Sequence, residues 1–281
     1  MIYISDLDGT LLRNNATLSN YATETLSTLL KNGLLFTVAT ARSVVSTKQI
    51  LGSLPFQLPI VEFNGAYITD YHTGKHLIAH EFPTDIKEAL LSFLLEHNCP
   101  PFISGFDGQK DCLYYDQIVN DAMSYYRDER TRAGDKRLQK ISNIEEGLRA
   151  QIVCFTVLQK NPIKKDIQSL LHEAFGDHII TYRFDSDISE PYYWLAIHPP
   201  EATKAKGIRS LMEMNHLSTE QLTVFGDNLN DLPMFKIADR AIAVENAHPE
   251  VITTADQVIC PNETDSVIRF IANENPDMLS P

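Results

Sequence analysis

The stretch Ile2-Tyr3-Ile4-Ser5-Asp6-Leu7-Asp8-Gly9-Thr10 runs from an apolar segment directly into an acidic, glycine-containing loop. A short apolar run stopped by turn residues reads as a buried strand feeding a functional turn. Asp6 and Asp8 stand at i and i+2, a spacing that on a locally extended backbone points both carboxylates the same way while Leu7 turns toward the core. Two acids on one side can divide labour, one attacking an electrophile and the other carrying a proton. A lone D-x-D is more commonly an Asx turn at a strand end, so the pair needs support from elsewhere in the chain.

That support comes from the rhythm around it. Leu18, Ala22, Leu26, Leu29 and Leu30 recur at helical spacing, with Ser19 placed as N-cap and Gly33 as the stop. Leu34 to Ala39 is apolar without alternation, as in a strand covered on both faces, and it delivers Thr40 at its C-terminal end. A helix over 43–51, a strand over 59–63 ending at Asn64-Gly65, and a hairpin around His72-Thr73-Gly74 follow. The rhythm returns with a helix over 204–216, a strand over 222–225 and a short helix over 232–237. A strand over 241–244, a helix over 249–255, a strand over 257–260 and a helix over 264–272 complete it. Such alternation implies an α/β fold with a doubly wound parallel sheet, whose ligands bind outside the carboxyl ends of the strands.

A second acidic loop, Gly226-Asp227-Asn228-Leu229-Asn230-Asp231, again follows an apolar strand. Hard oxygen ligands converging from two strand ends suit Mg²⁺; the plainer reading is a polar turn with Asp231 capping the next helix. Thr40 offers a hydroxyl and Lys204 an ammonium at a helix start, and a phosphoryl group in transfer is stabilised by such groups. Taken singly, they are a strand threonine and a surface lysine.

Between Pro83 and Pro191 the texture changes. Cys99-Pro100-Pro101 and a polar stretch from Arg127 to Lys140 accompany strands over 151–158 and 178–184 and helices over 84–97 and 162–175. This reads as an inserted α+β domain over 83–191, with 1–82 and 192–281 forming the core.

Across 281 residues the chain is 43% hydrophobic and 22% charged, the makeup of a protein that buries a sizeable core, and its formal net charge is −13. That charge argues against nucleic acid as the main partner, because phosphate backbones are held by clustered Lys and Arg. No apolar run approaches the ~20 residues that span a bilayer, and the first residues lack the pattern of a signal peptide, so a cytoplasmic location with no membrane partner is expected. Cys99, Cys112, Cys154 and Cys260 are scattered without metal or redox spacing and are expected as reduced thiols.

Together these features resemble the haloacid dehalogenase-like superfamily of phosphohydrolases, specifically its Cof-type branch, which carries a large α/β cap inserted in the core. Asp6-Leu7-Asp8-Gly9-Thr10-Leu11-Leu12 resembles its first motif, which implies Asp6 as nucleophile and Asp8 as general acid/base. Ala39-Thr40-Ala41-Arg42 resembles the second, A-T-G-R, with Thr40 as the phosphate-binding hydroxyl. Asn64-Gly65-Ala66 is similar to the loop before the cap, Pro200 to Ile208 to the third motif with Lys204 as its phosphate-binding lysine, and Gly226 to Asp231 to the fourth. Two departures stand out: Ala41 in place of glycine, and Glu245 in Val244-Glu245-Asn246-Ala247 where the branch has glycine.

The resemblance implies a Mg²⁺-dependent phosphomonoester hydrolase working through an aspartyl-phosphate. Mg²⁺ would be held by Asp6, Asp227 and the backbone carbonyl of Asp8, with Asp231 holding a metal-bound water. Thr40, Arg42, Asn64, Gly65, Lys204 and Asn230 would contact substrate; Arg42 is also open to an ion pair across a helix start. The substrate would be a small phosphorylated metabolite selected by the cap, a sugar phosphate first, with FMN or pyridoxal phosphate behind. The alternatives are a sugar phosphomutase of related architecture, or a non-catalytic regulatory protein, against which the presence of Asp6, Asp8 and Asp227 counts.

Overall fold

The computed structural model of the chain describes residues 1–160, 167–185 and 192–279. It divides into two compact units, Met1–Ala79 with Glu201–Pro281, and His80–Pro200.

The first unit opens with β1 (Ile2–Ser5), α1 (Asn20–Lys31), β2 (Leu35–Val38), α2 (Val44–Leu51), β3 (Ile60–Glu62), β4 (Tyr67–Thr69) and β5 (His76–Ala79). The second unit contains α3 (Thr84–Glu96), β6 (Phe102–Phe106), β7 (Asp111–Tyr115), α4 (Asp121–Arg132), β8 (Leu138–Lys140), β9 (Gln151–Lys160), α5 (Ile167–Phe175), β10 (Ile180–Asp185) and β11 (Tyr192–His198). The chain then returns to the first unit with α6 (Lys204–Met214), β12 (Leu222–Gly226), α7 (Leu232–Phe235), β13 (Arg240–Val244), α8 (Pro249–Thr254), β14 (Gln257–Ile259) and α9 (Ser266–Glu274).

Five parallel strands in the order β14-β13-β12-β1-β2 form the main sheet of the first unit. The unalternating strands are buried on both faces: Ile4, Phe36, Val38, Val224 and Ile242 pack with Leu26 and Leu29 of α1, Ile208 and Leu211 of α6, and Ile268 and Ile271 of α9. β1 lies between β2 and β12, with Ser5 opposite both Val38 and Phe225. Chain order reverses there, so the residue after β1 sits at the switch point where such sheets bind ligands. β3 does not extend this sheet. Its only backbone bridge toward β2 among the described residues joins Val61 to Ala39, the residue after β2, and it forms a small antiparallel sheet with β4 and β5.

In the second unit a six-stranded sheet runs β10-β11-β9-β6-β7-β8, antiparallel except for β7 against β8. One side packs Ile103, Ile152 and Phe155 against Leu90 and Leu94 of α3 and Leu171 of α5. A separate cluster joins Phe102, Leu113 and Leu158 to Ala122, Met123 and Tyr126 of α4.

Two details differ from the sequence reading. β11, assigned from the sequence to the core, pairs with β9 and β10 in the second unit; an apolar strand carries no mark of which sheet it joins. α4 covers the start of the stretch read only as polar, because it buries just Ala122, Met123 and Tyr126 among otherwise charged or polar residues. The first residues of the helix expected over 162–175, and the boundary at Pro191, lie outside the described residues. Among the described residues no helix is long and apolar enough to cross a membrane. The four cysteines are free, and burial pushes the thiols of Cys99 and Cys112 up to about 11 and that of Cys154 to about 12.

Candidate active site

The parallel ladder continues one residue beyond β1, where Asp6 N–H donates to Phe225 O at 2.9 Å, and this fixes the Asp6 backbone at the switch point. Its carboxylate is almost fully buried. Oδ1 accepts the Leu7 N–H at 2.7 Å and lies 2.7 Å from Lys204 Nζ. Lys204 is wholly buried and also donates to Asp231 Oδ1 at 2.6 Å. It is the first residue of α6, whose N-cap Thr203 accepts the Lys206 N–H at 3.1 Å. The ammonium thus leaves a helix start and ends between two acids.

Asp231 does not cap α7 with its side chain, as the plainer sequence reading held. Its Oδ2 instead accepts the N–H groups of Asp227 and Asn228, at 2.9 and 3.0 Å, folding the acidic loop back on itself. Asp227 Oδ1 accepts the Thr10 hydroxyl at 2.6 Å, joining the two acidic loops. Gly9 makes this approach possible: its φ is +73°, and a Cβ there would lie 2.4 Å from Asp227 Oδ2.

Burial raises the Asp6 carboxyl well above the usual range; Lys204 opposes this, and Asp231 and Asp227 add to it. Burial likewise pushes Asp227 up to about 6, helped by Asp231 and opposed by the Thr10 hydrogen bond and Lys204. For Lys204 burial alone would lower the value, but the Asp231 and Asp6 charges outweigh it and hold the ammonium protonated. Raised neighbouring carboxylates are what a bound dication would reverse. Oxygens of Asp6, Asp227 and Asp231 lie within 4.8 Å of one another. Both Asp231 oxygens are taken by protein donors, whereas one oxygen each of Asp6 and Asp227 has none among the described residues. This all-oxygen donor set fits Mg²⁺, with Asp6 and Asp227 as its available carboxylates.

The remaining sequence candidates collect at the ends of β2 and β3. Thr40 is buried and its hydroxyl accepts the Arg42 N–H at 3.1 Å. Arg42 is engaged with the half-exposed Asp8 by two bonds of 2.6 Å each and donates to Ser46 at 3.0 Å. The structure therefore pairs it with the second acid of the first motif, an arrangement the sequence reading did not foresee. Asn64, at φ +55°, accepts from Asn230 Nδ2 at 3.1 Å, while its own buried Nδ2 has no partner among the described residues. Gly65, at φ +105°, lies so close to α6 that a Cβ would sit 2.2 Å from Thr203 O. This contact sets the helix start that carries Lys204.

Several supporting residues were not singled out from the sequence. Thr10 had only its place in the first motif to mark it. Glu245 is exposed, but the neighbouring Asn246 donates to Gly9 O at 2.8 Å and accepts the Asn262 N–H at 3.0 Å, tying down the first acidic loop. Glu62 is fully buried behind the Thr40 turn, and a charge inside an apolar strand was the available signal.

The profile of the haloacid dehalogenase-like hydrolases matches residues 3–271. The chain is 24% identical to the 5-amino-6-(5-phospho-D-ribitylamino)uracil phosphatase YitU of Bacillus subtilis, covering 95% of this chain and 94% of the relative. It is 27% identical to the pyridoxal phosphate phosphatase YbhA of Escherichia coli, covering 95% of both. In fold it is similar to a Thermotoga maritima protein of known structure, with a TM-score of 0.78 at 23% identity over 97% of this chain and 96% of the other. With a profile match across nearly its whole length, an α/β parallel sheet and the acids gathered at its switch point, the chain belongs to the haloacid dehalogenase-like hydrolase family.

Proposed function

We propose that this phosphatase hydrolyses phosphomonoesters of small metabolites by covalent catalysis at Asp6. An Asp6 oxygen attacks phosphorus in line, the bond to the leaving oxygen breaks, and Asp8 gives that oxygen its proton. Water then attacks the aspartyl-phosphate, Asp8 takes the water's proton, and the Asp6–phosphorus bond breaks to release inorganic phosphate. Lys204 and the Thr40 hydroxyl face the negative charge of the transferring group. Arg42, through its paired bonds to Asp8, orients the acid/base.

Asp6, Asp227 and the Asp8 carbonyl would hold Mg²⁺, with Asp231 holding a metal-bound water, and the ion would supply positive charge that favours the ionised form of Asp6 beside an anionic substrate. Substrate choice is assigned to the inserted domain, because every chemical group named lies in the first unit. Sugar phosphates head the substrate class, with FMN or pyridoxal phosphate behind them; the named activities of YitU and YbhA support small phosphorylated metabolites.

The observation that carries this reading is the buried Asp6 carboxylate at the switch point, with one oxygen held by Lys204 and the Leu7 N–H. A panel of phosphorylated metabolites assayed for phosphate release with Mg²⁺ tests it. Asp6→Asn should retain less than about one per cent of activity, since loss of a covalent nucleophile costs several orders of magnitude. A more active Asp6→Asn enzyme refutes the nucleophile.

A further inference from the structure

Glu62 ends β3 and is completely buried. One of its oxygens accepts the backbone N–H of Val44, the first residue of α2. The other accepts the Thr69 hydroxyl at 2.5 Å and lies 3.3 Å from His76 Nδ1. Thr69 and His76 are themselves 2.8 Å apart, and the His76 ring stacks on Tyr67 with centroids 3.8 Å apart. The β4–β5 hairpin thus holds one end of the carboxylate and the start of α2 the other.

Between these anchors runs the turn that carries Thr40 and Arg42. Thr40 N–H donates to Val61 O at 2.9 Å, Asn64 N–H to Thr40 O at 2.9 Å, and Phe63 N–H to Arg42 O at 3.1 Å. The backbone is therefore laced to 61–64 as far as Arg42, and the next tie along the chain is the Val44 bond to Glu62. Burying a carboxylate is costly, and the cost is offset here by a helix N-terminus, a hydroxyl and an imidazole. An apolar side chain would fill the space without that cost but could not accept the Val44 N–H. What Glu62 adds is a fixed far end for the turn.

We propose that Glu62 is a positioning residue for phosphate capture: by pinning the first residue of α2 to the hairpin, it keeps Thr40 and Arg42 in register with the site. This rests on the phosphatase reading given above, in which Thr40 binds the phosphoryl group and Arg42 orients Asp8.

The test uses the full chain with Mg²⁺, p-nitrophenyl phosphate as substrate and inorganic phosphate as competitive inhibitor, well below each variant's Tm. Glu62→Ala should raise both KM and the phosphate inhibition constant by about tenfold or more, as small misplacements of binding groups do. Glu62→Gln keeps an oxygen for Val44, and its amide can donate to Thr69 and His76, so it should stay within about threefold of wild type. Thr69→Val, which loosens the hairpin end only, should fall between the two. A merely structural Glu62 would lower Tm and leave both constants unchanged in folded protein; that result for Glu62→Ala overturns the proposal. Should Glu62→Ala not fold, wild-type constants in Thr69→Val overturn it. Turnover by wild type and its loss in Asp6→Asn test the phosphatase reading separately.

Discussion

Replacing Lys204 by Met removes the only cation touching Asp6 and Asp231 among the described residues, at bonds of 2.7 and 2.6 Å. Both carboxylates are buried, and breaking a buried ion pair from one side costs about 3–5 kcal/mol because a charge is left uncompensated. Here the lower end, about 3 kcal/mol, is expected: Asp231 keeps the N–H groups of Asp227 and Asn228, and Asp6 keeps that of Leu7. Against a total stability of about 5–15 kcal/mol the variant should still fold. Its turnover should drop by about 10²–10³, the usual cost of removing one donor aimed at developing charge. Lys206 is the control, for its side chain is 52% exposed and its Nζ is 3.9 Å from Glu201. Lys206→Met should change stability by at most about 1 kcal/mol and turnover by less than about twofold. Urea unfolding in chelator, with phosphate release measured separately in Mg²⁺, reads both quantities. If Lys204→Met unfolds within about 0.5 kcal/mol of wild type and loses less than tenfold in turnover, the buried cation is neither structural nor catalytic.

Asp8→Asn should keep wild-type stability, since its carboxylate is half-exposed, yet lose at least about 10²-fold in turnover as a general acid/base; near-normal rates would remove Asp8 from the mechanism. EDTA should abolish phosphate release and Mg²⁺ restore it, and full activity in chelator would exclude a required metal. Gly65→Ala should lower turnover by about tenfold or more and destabilise the first unit, because its Cβ would meet Thr203 O at 2.2 Å beside Lys204; wild-type kinetics would show that α6 tolerates the shift. Burial pushes His198 down to about 4, opposed by its bond to Val153 O, so below pH 6.5 the unfolded chain takes up a proton that the folded state refuses. Stability from this group is complete above pH 6.5 and falls as pH drops toward 4, a loss of about 2 kcal/mol between pH 7 and 5. Trp194, the single tryptophan, lies on the same strand and reports that unit's unfolding by fluorescence; a pH slope unchanged in His198→Gln would refute the assignment.

Much of the first unit was legible because its signals are local. Apolar runs in parallel strands, Ser19 before α1 and the acidic residues following β1 and β12 follow from side-chain chemistry and short-range spacing. The same locality made Asp6, Asp8, Asp227 and Asp231 visible as candidates at strand ends. The second unit was only partly legible, since α4 buries one thin stripe and β11 is an apolar strand whose partners lie elsewhere in the chain.

Tertiary structure alone decided which groups meet. Lys204 is a surface lysine by composition and becomes a buried counter-ion because Gly65 lets α6 approach the end of β3. Arg42 had two readings on paper, and the path of the turn before α2 sent it to Asp8. Glu62, Thr10 and Asn246 act through hydrogen bonds to partners between 7 and 237 residues away. Sequence spacing specifies which side chains a short element presents and to which face; pairings across such separations are set by packing, which exists only once the chain has closed on itself.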